Sequence, residues 1–215
     1  MDPTPREDTW GEAWADEAFR RRAIATVPVL AAVLGALAGF VKWVERRPGV
    51  VVADPLLEVL RPRDLTWLTF ALIYAGLIGG VALLSRRPRR LLRAVQAYAA
   101  MAVIRMAVMW ATPLDPPPGM IRLDDPFVQR MGGAAEPLTR DLFFSGHTST
   151  LFLLALAAPG ARSRMAFFAC TGAVAACVLV QHVHYTVDVL AAPFFALGAW
   201  GIAGAIARPR RAPGG

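Results

Sequence analysis

Six apolar runs, separated by short polar segments, dominate the sequence. They occupy residues 23–44, 66–84, 91–111, 142–158, 165–183 and 185–207. A helix needs about 20 apolar residues to cross the hydrocarbon core of a bilayer, and the fourth run is the shortest of the six. The pattern predicts an all-α, polytopic membrane protein with one domain of six transmembrane helices at residues 23–207.

Charged residues lie mainly at the ends of these runs. Residues 1–22 are rich in acidic side chains and lack an apolar stretch, so we expect a short cytosolic segment rather than a cleavable signal peptide. Arginine clusters at residues 20–22, 86–93 and 208–211 fall on one side of the predicted bundle, and fewer basic residues, including Arg46 and Arg47, fall on the other. This bias favours cytosolic termini, with residues 208–215 as a cytosolic tail, in a plasma or bacterial inner membrane.

The composition excludes several function classes. Of the 215 residues, 56% are hydrophobic and 18% charged, and the net charge is +7. Because the arginines flank apolar runs instead of forming a basic patch, the charge indicates membrane flanks and not nucleic-acid binding. The two cysteines, Cys170 and Cys177, share one apolar run, which argues against a disulfide framework or a cysteine-based zinc site.

A small set of polar residues falls at one face of the predicted bundle. With cytosolic termini, His147 begins the fourth span on the outer side, and His184 and Asp188 begin the sixth. His184 and Asp188 are four residues apart and share a helix face, so the carboxylate can orient the imidazole and leave its other nitrogen free to attack an electrophile. A structural pair that caps the helix start explains the spacing equally well. His182 is two residues from His184 and points elsewhere.

The segment Ser145-Gly146-His147-Thr148 has the features of a helix start that binds an anion. Ser145 is a candidate N-cap, Gly146 leaves the backbone accessible, and free N–H groups at a helix N-terminus attract phosphate. His147 is placed beside them to donate a proton to a leaving oxygen. An ordinary capped helix that happens to contain a histidine is the alternative.

Arg105 is a charged residue inside the third apolar run. Its planar guanidinium suits a pair of phosphate oxygens, but an ion pair with Asp141 or Asp188 would also account for its place in an apolar run. The outer loop at residues 113–141 is long enough to shape a head-group pocket. It could equally be a solvated loop that never meets a substrate.

Two segments carry a resemblance to a known family. Residues 141–148, Asp-Leu-Phe-Phe-Ser-Gly-His-Thr, and residues 184–188, His-Tyr-Thr-Val-Asp, resemble two motifs of the sphingomyelin synthase branch of the type 2 phosphatidic acid phosphatase (PAP2) superfamily. Arg105 and the residues 112–114 that follow it are similar to the preceding motif of that branch. The basic first motif of the ordinary phosphatases is absent, and Gln181 and His182 stand where those enzymes have an arginine.

The resemblance implies a PAP2-like helical bundle with a metal-independent site, free of cofactors, on the exoplasmic or periplasmic face. It implies that His184 is the nucleophile and forms a phosphohistidine, that Asp188 orients it, and that His147 is the general acid. The remaining candidates are expected to bind substrate: Arg105, Asp141, Ser145, Gly146, Thr148 and Tyr185.

We therefore expect an integral membrane phosphotransferase or phosphatase that acts on phospholipid head groups and passes the phosphoryl group to a lipid or to water. Two other classes stay open. One is a non-catalytic lipid-binding protein on the same fold, since a fold does not fix function. The other is an intramembrane serine hydrolase that would use Ser145 with His184.

Overall fold

A computed structural model of the chain describes residues 9–125 and 138–207. Within these residues it contains eight α-helices, and an isolated β-bridge between Val50 and Leu114 is its only β-structure. The helices are α1 (Trp10–Ala15), α2 (Glu17–Glu45), α3 (Pro55–Val59), α4 (Thr66–Leu84), α5 (Pro88–Ala111), α6 (Gly146–Ala157), α7 (Ala161–Val180) and α8 (Thr186–Ala207). The all-α fold class is confirmed. The predicted tail at residues 208–215 and the first eight residues lie outside the described part.

Five helices, α2, α4, α5, α7 and α8, are long and apolar enough to cross a membrane. They coincide with five of the six apolar runs. α2 begins before its apolar run because the Asp16 carboxylate accepts hydrogen bonds from the backbone N–H groups of Ala18 and Phe19 and so caps the helix. The apolar runs therefore predict which segments are helical, whereas a polar cap sets where α2 starts.

The sixth apolar helix, α6, is shorter than the sequence suggests. Its run covers residues 142–158, but the helix covers only Gly146–Ala157, about 18 Å at a rise of 1.5 Å per residue. Ser145 caps its beginning, and it ends just before Pro159. α6 packs against α4, α5, α7 and α8. Because its neighbours surround it, α6 does not have to match the thickness of the bilayer.

The loop between α5 and α6 is fastened to the end of α2. The Glu45 carboxylate accepts hydrogen bonds from the backbone N–H groups of Thr139 and Arg140, both at 2.9 Å. The Arg140 guanidinium in turn donates to Asp115 at 2.6 Å and holds the pKa of that carboxyl below its usual value. Both ends of the outer loop are thus joined at one place beside α2.

Arg47 links the end of α2 to the end of α5. Its guanidinium donates to the backbone carbonyls of Met109 and Trp110, each at 2.8 Å. These carbonyls belong to the last turn of α5 and have no partner within their own helix. Arg47 therefore has a structural reason to lie on the predicted outer side, against the positive-inside bias.

Candidate functional site

A cavity of about 850 Å³ lies among α2, α4, α5, α6 and the outer loop. Its polar end contains five of the site residues predicted from the sequence: Arg105, Asp141, Gly146, His147 and His184. Its other end is apolar and reaches Leu84 on α4 and Leu91 on α5. The volume lies within the range of small-molecule binding sites. The fold therefore brings these polar groups, from segments distant in sequence, to one end of an apolar cavity.

His184 is held by Asp188, but not in the way that the spacing suggests. α8 begins at Thr186, so His184 precedes the helix and Asp188 lies in its first turn. Nδ1 of His184 is 3.4 Å from Oδ2 of Asp188, and the same oxygen accepts the backbone N–H of Tyr185 at 3.1 Å. Asp188 thus pairs with the His184 ring and also caps the start of α8.

Asp188 also connects the two motifs through its backbone. Its carbonyl oxygen accepts the N–H of Ser145 at 3.2 Å. The Asp188 side chain is fully buried, and its Oδ1 has no hydrogen-bond partner within the described residues. One residue therefore fixes both the orientation of His184 and the position of the segment that begins α6.

His147 lies in the first turn of α6 and lines the cavity together with His184. Its ring meets Phe70 edge-on, with the ring centroids 6.2 Å apart. It lies within electrostatic range of His184, Arg105, Asp141 and Asp125. The two histidines therefore line the same cavity, His147 on the side formed by α6.

Arg105 forms the ion pair with Asp141 that was one of its two alternatives. Nη2 of Arg105 lies 2.8 Å from Oδ1 of Asp141, and Nη1 donates to the Phe144 carbonyl at 2.7 Å. A Cβ atom on Gly146 would come within 2.3 Å of Nη1. Gly146 is therefore required for space, because the guanidinium occupies the position that a side chain would take.

The surroundings of the Asp141 carboxyl favour its ionised form. Burial opposes ionisation, but the charge of Arg105 and the hydrogen bond from it, together with the nearby histidines, hold the pKa of Asp141 below its usual value. The pair is costly to disrupt because the buried Arg105 charge would lose its partner. The ion pair fixes the chain just before α6.

Three predicted site residues lie behind the wall of the cavity. Ser145 and Thr148 are buried, and the Thr148 hydroxyl donates to the Ser145 hydroxyl at 3.0 Å. Tyr185 is 1% exposed, and its hydroxyl donates to the Asp115 carbonyl at 2.9 Å and accepts the Val52 N–H at 3.2 Å. Their contacts hold the segments that carry His147 and His184.

The outer loop does reach the cavity. Arg122, Asp124 and Asp125 line its polar end, and Tyr74 of α4 donates to Asp125 at 2.5 Å. The apolar side chains of Met120 and Leu123 pack against the core cluster that includes Phe70 and Val183. The described part of the outer loop therefore lines the cavity and packs on the helix core.

Asp54 is a supporting residue that the sequence analysis does not identify. Its carboxylate accepts the backbone N–H and the hydroxyl of Thr186 at 2.6 and 2.9 Å, and it also caps α3. Burial opposes ionisation, but these hydrogen bonds hold the pKa of Asp54 below its usual value. An Asp-Pro pair is a recognisable helix start, but nothing in the sequence connects Asp54 with Thr186.

Gln181 and His182 hold the short segment between α7 and α8 that leads to His184. Gln181 is fully buried and exchanges hydrogen bonds with the hydroxyls of Thr66 and Thr69 on α4. Nδ1 of His182 lies 2.9 Å from the Pro118 carbonyl, and His182 has a left-handed backbone with φ of 55°. His182 therefore positions the outer loop and does not join His147 and His184 in the cavity. In residues 9–125 and 138–207, no group of three or more His, Cys, Asp or Glu side chains is placed to hold a metal ion.

Comparison with known families adds one finding. Residues 140–204 match a family described as PAP2 superfamily C-terminal, PAP2_C. No curated protein matches the chain. The matched residues include α6, α7 and most of α8, so His147, His184 and Asp188 lie within them and Arg105 lies outside. These 65 of the 215 residues are therefore similar to the PAP2 superfamily.

Proposed function

We propose that this chain is an integral membrane phosphotransferase or phosphatase that acts on phospholipid head groups through a phosphohistidine, in the manner of the sphingomyelin synthase branch. The observation that carries the proposal is the position of His184 and His147 at the polar end of an apolar cavity, with His184 held by Asp188. Such a cavity suits a molecule with a phosphate at one end and a hydrocarbon chain at the other.

In the first chemical step, Nε2 of His184 attacks phosphorus, and the bond from phosphorus to the leaving oxygen breaks. Asp188 keeps Nδ1 of His184 protonated and stabilises the positive charge that develops on the ring. The protonated ring of His147 gives its proton to the leaving oxygen. The products of this step are the phosphorylated His184 and the released alcohol.

In the second step, neutral His147 removes the proton of an acceptor hydroxyl, whose oxygen attacks phosphorus and breaks the bond to His184. A lipid hydroxyl as acceptor makes the protein a transferase, and water makes it a phosphatase. Both steps pass through one covalent intermediate and therefore allow exchange of the released group.

The other candidates support the phosphate. Three hydrogen bonds from Arg105 go to Phe144 and Asp141, which leaves two of its five N–H groups for a phosphate oxygen. The backbone N–H groups of Gly146 and His147 open α6 and add a site for negative charge. Asp141 acts through Arg105, and Ser145, Thr148 and Tyr185 hold the segments in place.

A lipid reaches the cavity sideways from the outer leaflet in this proposal. α2 packs mainly on α5, and it contributes only Leu30 and Leu37 to the described lining of the cavity. The opposite wall comes from Tyr74, Leu77 and Val81 of α4. The space between α2 and α4 is therefore the apolar side through which a chain can slide. The proposal includes cytosolic termini and a location in a plasma or bacterial inner membrane.

The test uses purified protein and phospholipids labelled in the head-group phosphate, with and without ceramide or diacylglycerol. Label in a new lipid identifies a transferase, and label only in water identifies a phosphatase. Quenching in base and mapping of the labelled peptide should find the phosphate on His184. His182→Asn is a matched control, because asparagine tolerates a positive φ and can still donate to the Pro118 carbonyl. Full turnover by His184→Ala would refute the proposal, whereas lipid binding without turnover or exchange in the wild type would select the non-catalytic alternative.

A further inference from the structure

The apolar part of the cavity runs alongside two helices, α4 and α5. On α5 its lining runs from Arg105 at the polar end to Leu91 at the other, and on α4 from Phe70 to Leu84. Each pair is 14 residues apart, which is about 21 Å at a rise of 1.5 Å per residue. The agreement between two adjacent helices defines a channel of that length.

The far end of this channel is closed. Leu84, Ala94 and Ala157 are buried and pack together in one cluster, with Leu91, Leu154 and Trp200 against them. Leu84 is 2% exposed and Ala157 is fully buried. Because this cluster joins α4, α5 and α6, the channel ends in a packed wall rather than in an opening to the far side of the membrane.

The chemistry of the lower channel fits hydrocarbon and excludes a head group. From Leu77 and Val81 on α4 to Ala94 and Val95 on α5, the lining side chains are aliphatic. A polar group placed there would lose hydrogen bonds to water without replacement. An acyl chain keeps an apolar environment on moving from the bilayer into such a channel, and the packed end limits its length.

We propose that this channel measures the hydrocarbon chain of the substrate, with the wall around Leu84, Leu91 and Ala94 setting the longest chain that can extend from the phosphate. The proposal rests on the proposed function, since it places the phosphate at His184. With carbon–carbon bonds of about 1.5 Å in a zigzag, a channel of about 21 Å holds roughly 16 chain atoms counted from the phosphate, lipid backbone included.

The volume of the cavity also matches a single hydrocarbon chain. At roughly 30 Å³ for a methylene, the space that a water molecule takes in the liquid, about 16 such groups need roughly 480 Å³ of the cavity's ≈ 850 Å³. The remainder lies at the polar end, where it accommodates the phosphate and head group. A second acyl chain of the same lipid then stays in the bilayer beside α2.

Two substitutions on α5 should move the limit in opposite directions. Ala94→Leu fills the channel one helical turn above its end, so turnover of the longest accepted substrate should fall about tenfold, the effect of moderate overpacking, while short chains are unaffected. Leu91→Ala removes part of the wall, and the optimum should move to longer chains by roughly three carbons. Val103→Leu is the matched control, because Val103 lies on α5 and is exposed outside the channel.

The measurement is turnover of labelled phospholipids that differ only in chain length, by wild type and the three variants. Identical chain-length profiles for wild type, Ala94→Leu and Leu91→Ala would overturn the proposal. If the wild type turns over no phospholipid, the proposed function fails, and the chain lengths of lipids retained by the purified proteins then decide the inference. Retained lipids of shorter chains in Ala94→Leu support the channel, and an unchanged distribution overturns it.

Discussion

Substitution of Gly146 by alanine tests how the start of α6 is built. The added Cβ would lie 2.3 Å from Nη1 and 2.9 Å from Cζ of Arg105, so the guanidinium must retreat by about 1 Å to reach an ordinary contact. Its hydrogen bond to the Phe144 carbonyl, now 2.7 Å, would then exceed the length of a real hydrogen bond. The change therefore separates Arg105 from the segment that it holds.

The size of the effect follows from the burial of the pair. The Arg105 side chain is 10% exposed, so water replaces little of the lost bond, and a hydrogen bond to a charged group contributes about 1.5–3 kcal/mol. Replacement of glycine by alanine at a helix start stabilises the folded state by less than about 1 kcal/mol. We expect a net loss of roughly 1–2 kcal/mol and a melting temperature lower by a few degrees, with a fall in turnover of about tenfold or more.

Thermal unfolding in detergent at a fixed scan rate, together with turnover, measures both quantities. Gly172→Ala is the control, since nothing lies within 4 Å of a Cβ at that position in α7, and it should be neutral or slightly stabilising. In an Arg105→Gln background the clash is gone, so Gly146→Ala should cost much less than in the wild type. An equal cost in both backgrounds would refute the reasoning.

Three further outcomes are expected from the same contacts. Asp188→Asn should lower turnover by about a thousandfold or more, because the amide no longer stabilises a positive ring on His184, and a loss below tenfold in the initial rate would contradict the assigned role. The pKa of Asp54 is lowered in the folded protein, so this carboxylate stabilises the fold at pH values above its ordinary pKa of about 3.9. The stabilisation is lost as the pH falls through the lowered pKa. Asp54→Asn should therefore melt at a lower temperature at neutral pH and lose less stability on acidification, as measured by melting curves across pH. Glu45→Ala should free the outer loop and raise KM about fivefold, the equivalent of roughly 1 kcal/mol, with kcat little changed; a fall in kcat at constant KM would show that the loop acts on the chemistry instead.

The helical layout follows from the apolar pattern because hydrocarbon leaves a membrane segment no alternative to internal backbone hydrogen bonds. Five of the predicted runs became helices of spanning length. α6 is shorter than its apolar run because Ser145 caps its start and Pro159 follows its end. α3 has only five residues, too few to produce a periodic signal, and only its Asp-Pro start indicates a helix.

The candidate site could be predicted as a set of residues more readily than as a set of contacts. Arg105 is recognisable as a charge inside an apolar run, and His147 and His184 by their places at the starts of two runs on one face. All three line one cavity. The partner of Arg105 had to come from the structure, because Asp141 and Asp188 fit the sequence equally well. The hydrogen bond between the Asp188 carbonyl and the Ser145 N–H joins two backbone groups, so the identities of the side chains do not predict it.

The apolar side chains that the outer loop places over the polar end bear on the choice of acceptor. Met120 and Leu123 pack on the cluster around Phe70 and Val183 and line the cavity beside His184. In the proposed mechanism, water would have to pass these apolar groups to reach the phosphorylated His184, whereas a lipid hydroxyl would arrive from the hydrocarbon of the bilayer. Under the same proposal, the ratio of hydrolysis to transfer would depend on how closely Met120 and Leu123 pack over the cavity, and not on the two histidines alone.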